Sequence, residues 1–206
     1  MPPAFESFWD RAYREGDHRD HWEPPEVPGE LAALVASGRL APGATALDVG
    51  CGSGVEAVYL AESGLDVIAL DSSRRALELA RDRAETAGVT LDLRCGTVLD
   101  PPVEDGAVDL AVDRGCLHGI DREDRPDYAA QLTRVLRPGG LLFLRGARRD
   151  DEDQGVLGLV PEELDELFPP PAFVRGPMES IELAARAGNL PAYSVLLRRA
   201  RLYRFG

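Results

Sequence analysis

The segment Ala46-Leu47-Asp48-Val49-Gly50-Cys51-Gly52-Ser53-Gly54 constrains this chain more than any other, because an apolar run stops there in a turn with a glycine at every second position. Glycines at 50, 52 and 54 strip the outside of the turn of Cβ atoms, so a ligand can reach main-chain N–H groups that side chains normally shield. The spacing predicts a helix over Val55–Ser63 whose N-terminus points at the same place. Asp71 closes the next apolar run, Leu65-Asp66-Val67-Ile68-Ala69-Leu70, nineteen residues beyond Gly52. A carboxylate there can accept both hydroxyls of a ribose, so turn and acid together read as a nucleoside site.

The order of elements from residue 40 onward alternates strand and helix, the pattern of a parallel sheet covered on both faces. Strands are predicted at Thr45–Val49, Leu65–Leu70, Thr90–Arg94, Val108–Asp113 and Gly140–Leu144, each short, apolar and fenced by turn residues. Ser72 or Ser73 can cap a helix whose apolar face is Ala76, Leu77, Ala80, Ala84 and Ala87, with Gly88 as its stop. Asp121 is the expected cap of the next helix, which runs to Leu136 before Pro138-Gly139-Gly140. A short helix is expected around Pro161–Phe168, and Phe173–Leu183 with Ala192–Arg201 reads as an antiparallel hairpin turning near Gly188-Asn189. The fold class is therefore α/β, a doubly wound, Rossmann-like sheet of seven strands, mostly parallel, with a C-terminal antiparallel hairpin.

Phe5, Phe8, Trp9 and Tyr13 set four aromatics at helical spacing ahead of the sheet, and Trp22 follows. Residues 1–40 read as a helical segment lying over the open ends of the strands, and 41–206 as the remainder of one compact domain. The formal net charge of -13 disfavours nucleic acid as a partner, since phosphate binding draws on clustered Lys and Arg. Arg145, Arg148 and Arg149 are followed at once by Asp150, Asp151, Glu152 and Asp153, which reads as a solvated loop. No leader-like or membrane-length apolar run occurs, so a soluble, cytoplasmic protein without a membrane partner is expected. Cys51, Cys95 and Cys116 lack metal or disulfide spacing and read as free thiols, and His18, His21 and His118 form no metal motif.

The turn alone also suits a nicotinamide-dependent oxidoreductase, but a dinucleotide fingerprint wants its third glycine three residues after the second. Here Val55 occupies that place and Gly54 comes one residue early. A ligand without phosphates also fits better beside Asp48, Asp71 and Asp113, and a sulfonium carrying an amino group fits better still.

At residues 40–150 the chain resembles the class I S-adenosylmethionine-dependent methyltransferases. Leu47-Asp48-Val49-Gly50-Cys51-Gly52-Ser53-Gly54 is similar to that family's first motif, Asp71 to its ribose-binding acid, and Leu136-Arg137-Pro138-Gly139-Gly140 to its turn into the fifth strand. A narrower resemblance, to the thiopurine and tellurite-resistance branch, is carried by Phe8-Trp9-Asp10, Tyr13-Arg14-Glu15-Gly16-Asp17, Trp22-Glu23-Pro24-Pro25 and Asp113-Arg114-Gly115-Cys116-Leu117-His118. Gly119 stands where that branch often has a second histidine.

The resemblance implies S-adenosylmethionine as cofactor, S-adenosylhomocysteine as product, and a small-molecule acceptor with S, O, N, Se or Te as its nucleophile. Gly50, Cys51, Gly52 and Gly54 would line the methionine and ribose, with Asp48 beside them and Asp71 on the ribose hydroxyls. Ser72, Thr97 and Val98 would meet the adenine, Thr97 standing where the family often has a carboxylate. Asp113, Arg114 and Gly115 would flank the methyl group, Trp22 would cover the cofactor, and His118 and Asp113 are the catalytic candidates. The acceptor pocket is expected from the N-terminal segment, the loop Arg145–Gly155 and residues near Pro177. A binding protein without transferase activity is the competing reading, and monomer and homodimer are equally open.

Overall fold

The computed structural model describes residues 8–23, 26–148, 157–183 and 188–201. Phe5, Pro24, Pro25 and the acidic run after Arg148 lie outside the described residues. Three helices come first, α1 (Phe8–Glu15), α2 (His18–His21) and α3 (Gly29–Ala36). The alternating part follows as β1 (Thr45–Val49), α4 (Val55–Glu62), β2 (Asp66–Asp71), α5 (Arg74–Ala87), β3 (Asp92–Cys95) and β4 (Val108–Arg114). After it come a 3-10 turn (Leu117–Gly119), α6 (Arg125–Val135), β5 (Leu136–Ala147), α7 (Pro161–Leu167), β6 (Phe173–Leu183) and β7 (Leu190–Arg199).

The seven strands form one sheet in the order β3-β2-β1-β4-β5-β7-β6. Pairing is parallel from β3 to β5, and β7 lies antiparallel to both β5 and β6. The winding reverses between β1 and β4, and open α/β sheets offer a crevice at that switch, beyond the carboxyl ends of the strands. Register puts the ends level, with Val49 opposite both Leu70 and Asp113. The glycine turn, Asp71 and the exit of β4 therefore meet at one edge.

Strand residues alternate between two cores. Leu47, Val49, Ala111, Leu142 and Leu144 pack with Tyr128, Leu132 and Leu164 of α6 and α7, while Ala46, Leu110, Val112, Leu141 and Phe143 pack with Leu31, Leu60 and Leu77 of α3, α4 and α5. Burial on both faces explains why these strands read as unbroken apolar runs. In α5, Ser73 caps the start by accepting from the Ala76 N–H at 3.1 Å, and Gly88 ends it with φ +71°.

Several boundaries differ by one to four residues from those expected, and β5 runs on to Ala147, so that Arg145, expected in a solvated loop, is a buried strand residue. Helix α6 begins at Arg125, not after Asp121: Asp121 to Asp124 form a turn, and Pro126, with no N–H to donate, fits the first helical turn. Strand β5 begins at Leu136 rather than Gly140, because Pro138-Gly139 is absorbed at a register shift against β4 instead of breaking the chain. No helix among the described residues is long and apolar enough to cross a membrane.

Candidate active site

Between β1 and α4 the chain turns through Gly50, Gly52 and Gly54 with φ of +66°, +53° and +79°, a region costly for residues with a Cβ. The Gly52 N–H donates to Asp71 Oδ2 at 2.8 Å, and the Ser73 N–H donates to Asp71 Oδ1 at 2.8 Å. One carboxylate thus ties the glycine turn to the head of α5. A carboxylate offers about four lone-pair sites, so Asp71 keeps acceptor capacity toward the cavity it lines. Burial raises its pKa, and the N–H groups of Ser73 and Gly52 offset part of that rise.

The cavity at this edge has a volume of about 530 Å³, within the range of small-molecule and cofactor sites. Asp48 lines it from the end of β1, almost fully buried, and its Oδ2 has no hydrogen-bond partner among the described residues. Burial and the neighbouring Glu56 carboxylate push its pKa well up. A buried carboxylate oxygen without a donor is expensive, and a ligand ammonium would satisfy it and restore its charge. Glu56 itself pairs with Arg114, Oε1 to Nε 2.5 Å.

The N-terminal helices lie over the turn. A Cβ on Gly52 would collide with the Tyr13 hydroxyl, which accepts a hydrogen bond from Trp22 Nε1 at 3.0 Å. Trp9 meets Trp22 edge to face at 5.7 Å between centroids. Two carboxylates fasten this cover. Asp10 Oδ1 accepts from Ser73 Oγ at 2.6 Å and from the Arg75 N–H at 3.2 Å, adding negative charge at the N-terminus of α5. Glu23 Oε1 accepts from Ser53 Oγ at 2.6 Å and from Arg83 Nη2, which binds the turn to α5.

Most of the residues singled out in sequence line this cavity: Trp22, Asp48, Gly50, Cys51, Gly52, Asp71, Ser72, Thr97, Val98, Arg114, Gly115 and His118. Two do not. Gly54 faces α5, where a Cβ would stand 2.9 Å from that of Ala80, so this glycine permits helix packing rather than ligand approach. Asp113 is fully buried away from the cavity, and its carboxylate accepts from the N–H groups of Cys116 and Leu117 at 2.8 and 3.0 Å and from Tyr128 Oη at 2.6 Å. It braces the turn after β4, and its catalytic and cofactor-binding assignments are corrected to that role.

His118 lines the cavity, but its Nδ1 accepts from the Ala147 N–H at 3.0 Å. A neutral imidazole that accepts at Nδ1 carries its proton on Nε2, so the ring presents a donor where a general base was expected. Cys51 and Cys116 are held as thiols, their pKa values pushed up by burial and nearby aspartates. Thr97 Oγ1 accepts locally from the Leu99 N–H at 3.2 Å.

The far walls come partly from places the sequence reading passed over. Leu183, Asn189 and Leu190 at the β6–β7 turn line the cavity, and Pro177, in a register shift midway along β6, does not. His21, Glu23, Asp121 and Asp124 also line it. Arg125, fully buried, holds Glu163 at 2.7 Å and the Leu157 carbonyl at 2.5 Å, and the Leu157 N–H in turn donates to the His118 carbonyl at 2.7 Å. An isolated arginine or glutamate carries no spacing signal that would have revealed this brace.

Residues 46–140 match the family model described as a methyltransferase domain. A ubiquinone biosynthesis O-methyltransferase of Roseobacter denitrificans is 32% identical over 117 residues, covering 56% of this chain and 46% of that protein. A 27-O-demethylrifamycin SV methyltransferase of Amycolatopsis mediterranei is 31% identical over 150 residues, 68% of this chain and 54% of that one. The chain spans about half the length of the curated relatives it matches. Among solved structures, an SAM-dependent methyltransferase from Methanosarcina mazei superposes with a TM-score of 0.73 at 20% identity, covering 86% of this chain and all of that one. Residues 46–140 thus resemble a methyltransferase domain, and the likeness to the solved structure shows the shared Rossmann-like fold.

Proposed function

We propose that this protein transfers a methyl group from S-adenosylmethionine to an oxygen of a small molecule. The observation that carries the reading is Asp48: a buried carboxylate with an unpartnered oxygen, on the wall of a cavity whose glycine turn has no phosphate-binding spacing. Asp48 would hold the cofactor's ammonium, Asp71 the ribose hydroxyls, and the backbone of Gly50, Cys51 and Gly52 the chain between them. Ser72, Thr97 and Val98 would border the adenine. Bound there, the cofactor supplies a methyl group on a sulfonium leaving group that needs no further activation.

The chain's own share of the work is placement and exclusion of water. Orienting reactants in this way accounts for roughly 7–11 kcal/mol of a barrier in well-aligned systems. Residues 8–23, fastened through Asp10 and Glu23, act as the cover that keeps water out, with Tyr13 and Trp22 against the turn. Oxygen as the acceptor atom rests on the O-methyltransferases among the relatives. Kinship with the thiopurine and tellurite-resistance branch is favoured by this aromatic cover, and a cytoplasmic setting by the free thiols of Cys51, Cys95 and Cys116.

Calorimetric titration with S-adenosylmethionine and with NAD tests the reading, followed by a screen of phenols, alcohols, amines and thiols for release of S-adenosylhomocysteine. One-to-one binding of S-adenosylmethionine and turnover with a hydroxyl acceptor is the expected outcome. Binding of NAD alone overturns the proposal, and cofactor binding without turnover of any acceptor class leaves a binding protein.

A further inference from the structure

Beside the surfaces assigned to the cofactor, the cavity is walled by Trp9, Ile120, Leu183 and Leu190, with His118 as a polar group among them. His118 Nε2 makes no hydrogen bond among the described residues. Gly115 lies directly against the ring, where a Cβ would stand 3.1 Å from Nε2, so a side chain at 115 would cover the donor. On the other side the ring is fixed through Nδ1 to the backbone of β5. Taking a proton at Nε2 would require the ring to surrender that bond.

The charged groups around the ring are Arg114 from β4 and Arg125 from α6, while His21 of α2 and Asp121 and Asp124 from the approach to α6 line the same cavity. Burial and the two guanidinium groups lower the His118 pKa to about 4, which keeps the imidazole neutral. Of these causes burial is the larger and disfavours any charge, whereas the guanidinium groups, themselves paired with Glu56 and Glu163, favour a negative charge over a positive one beside the ring. A fixed donor also stabilises an oxyanion more than the corresponding neutral hydroxyl.

We propose, resting on the methyltransferase reading, that His118 Nε2–H holds the acceptor oxygen of an acidic hydroxyl, a phenol or enol, which binds already ionised, and that no residue of the protein removes its proton. The acceptor's proton leaves to solvent before binding. The oxyanion then gives an electron pair to the methyl carbon, the carbon–sulfur bond breaks with its pair passing to sulfur, and the two opposite charges annul. Apolar Trp9, Ile120, Leu183 and Leu190 fit the body of an aromatic or otherwise flat, greasy acceptor.

The test uses the full chain saturated with S-adenosylhomocysteine and 4-nitrophenol as the probe, its phenolate absorbance followed against pH. Bound probe is expected to be ionised in at least about tenfold excess over free probe at the same pH. His118→Phe should abolish the excess while S-adenosylhomocysteine still binds, and His118→Gln, which restores an N–H donor, should recover part of it. Probe that binds neutral, fails to bind, or keeps its excess in His118→Phe overturns the inference. So does an excess removed instead by His21→Gln or Asp124→Asn. Failure to bind S-adenosylhomocysteine overturns the methyltransferase reading and this inference with it, whereas its retention without phenolate preference overturns the inference alone.

Discussion

Asp71→Asn perturbs the proposed cofactor site at the point where its structural duty and its proposed ligand-binding duty can be separated. The native carboxylate accepts from the Gly52 and Ser73 N–H groups, one on each oxygen, and has lone pairs left for two ribose hydroxyls. Asparagine keeps one acceptor oxygen and turns the other into a donor. One ribose bond then becomes neutral and the second is lost, a cost of roughly 1.5–3 kcal/mol for a charge-assisted hydrogen bond, or about 10- to 150-fold in affinity. The donor end also faces one backbone N–H, leaving it unpaired at roughly 1–3 kcal/mol of stability, less whatever is regained by no longer burying a charge. Calorimetry with S-adenosylmethionine reads the first effect, and a thermal melt without ligand reads the second. A folded Asp71→Asn variant with wild-type affinity would refute the reasoning, because the acid would then be a bracket for the turn and nothing more.

Asp113, with a folded pKa of about 6 against an ordinary 3.8 because of its burial, favours the fold when protonated, so its contribution is present below about pH 3.8 and lost as pH rises to about 6. Stability of Asp113→Asn relative to wild type should therefore rise by about 2 kcal/mol between those pH values, and a pH-independent difference in denaturation midpoints would contradict the assignment. Arg125→Met should destabilise the fold by roughly 1–3 kcal/mol by leaving the Ile120 and Leu157 carbonyls without their donor, Glu163 keeping Arg122 at 3.6 Å, whereas a melt within a degree of wild type would dismiss the brace. Asp10→Ala removes the acceptor for Ser73 Oγ and the Arg75 N–H, worth about 0.5–1.5 kcal/mol each, and should raise acrylamide quenching of Trp9 and Trp22 and quicken cofactor release. Unchanged quenching would mean that α1 is held by packing alone.

The parallel sheet was legible in the sequence because each buried strand is an apolar run with a turn residue at either end, as in Leu65–Leu70 and Val108–Asp113. The glycine turn and the acid it is tied to were legible for the same reason in reverse, since glycine spacing and a strand-ending acid are local signals. Asp113 misled because a strand-ending aspartate looks the same whether it faces a ligand or, as here, caps the turn behind it through Tyr128. Gly54 misled likewise, its partner Ala80 being a long-range neighbour that no spacing rule reveals. The latches at Asp10 and Glu23 and the brace at Arg125 join residues 30 to 65 positions apart, so only the folded chain brings them together.

A crystal structure of the chain with S-adenosylmethionine bound tests the central claim most directly. The account places the ribose hydroxyls on the Asp71 carboxylate, the ammonium within hydrogen-bond reach of Asp48 Oδ2, and the methyl group facing the wall that contains His118. A cofactor lodged elsewhere, or an Asp48 oxygen still without a partner in the filled site, would contradict it.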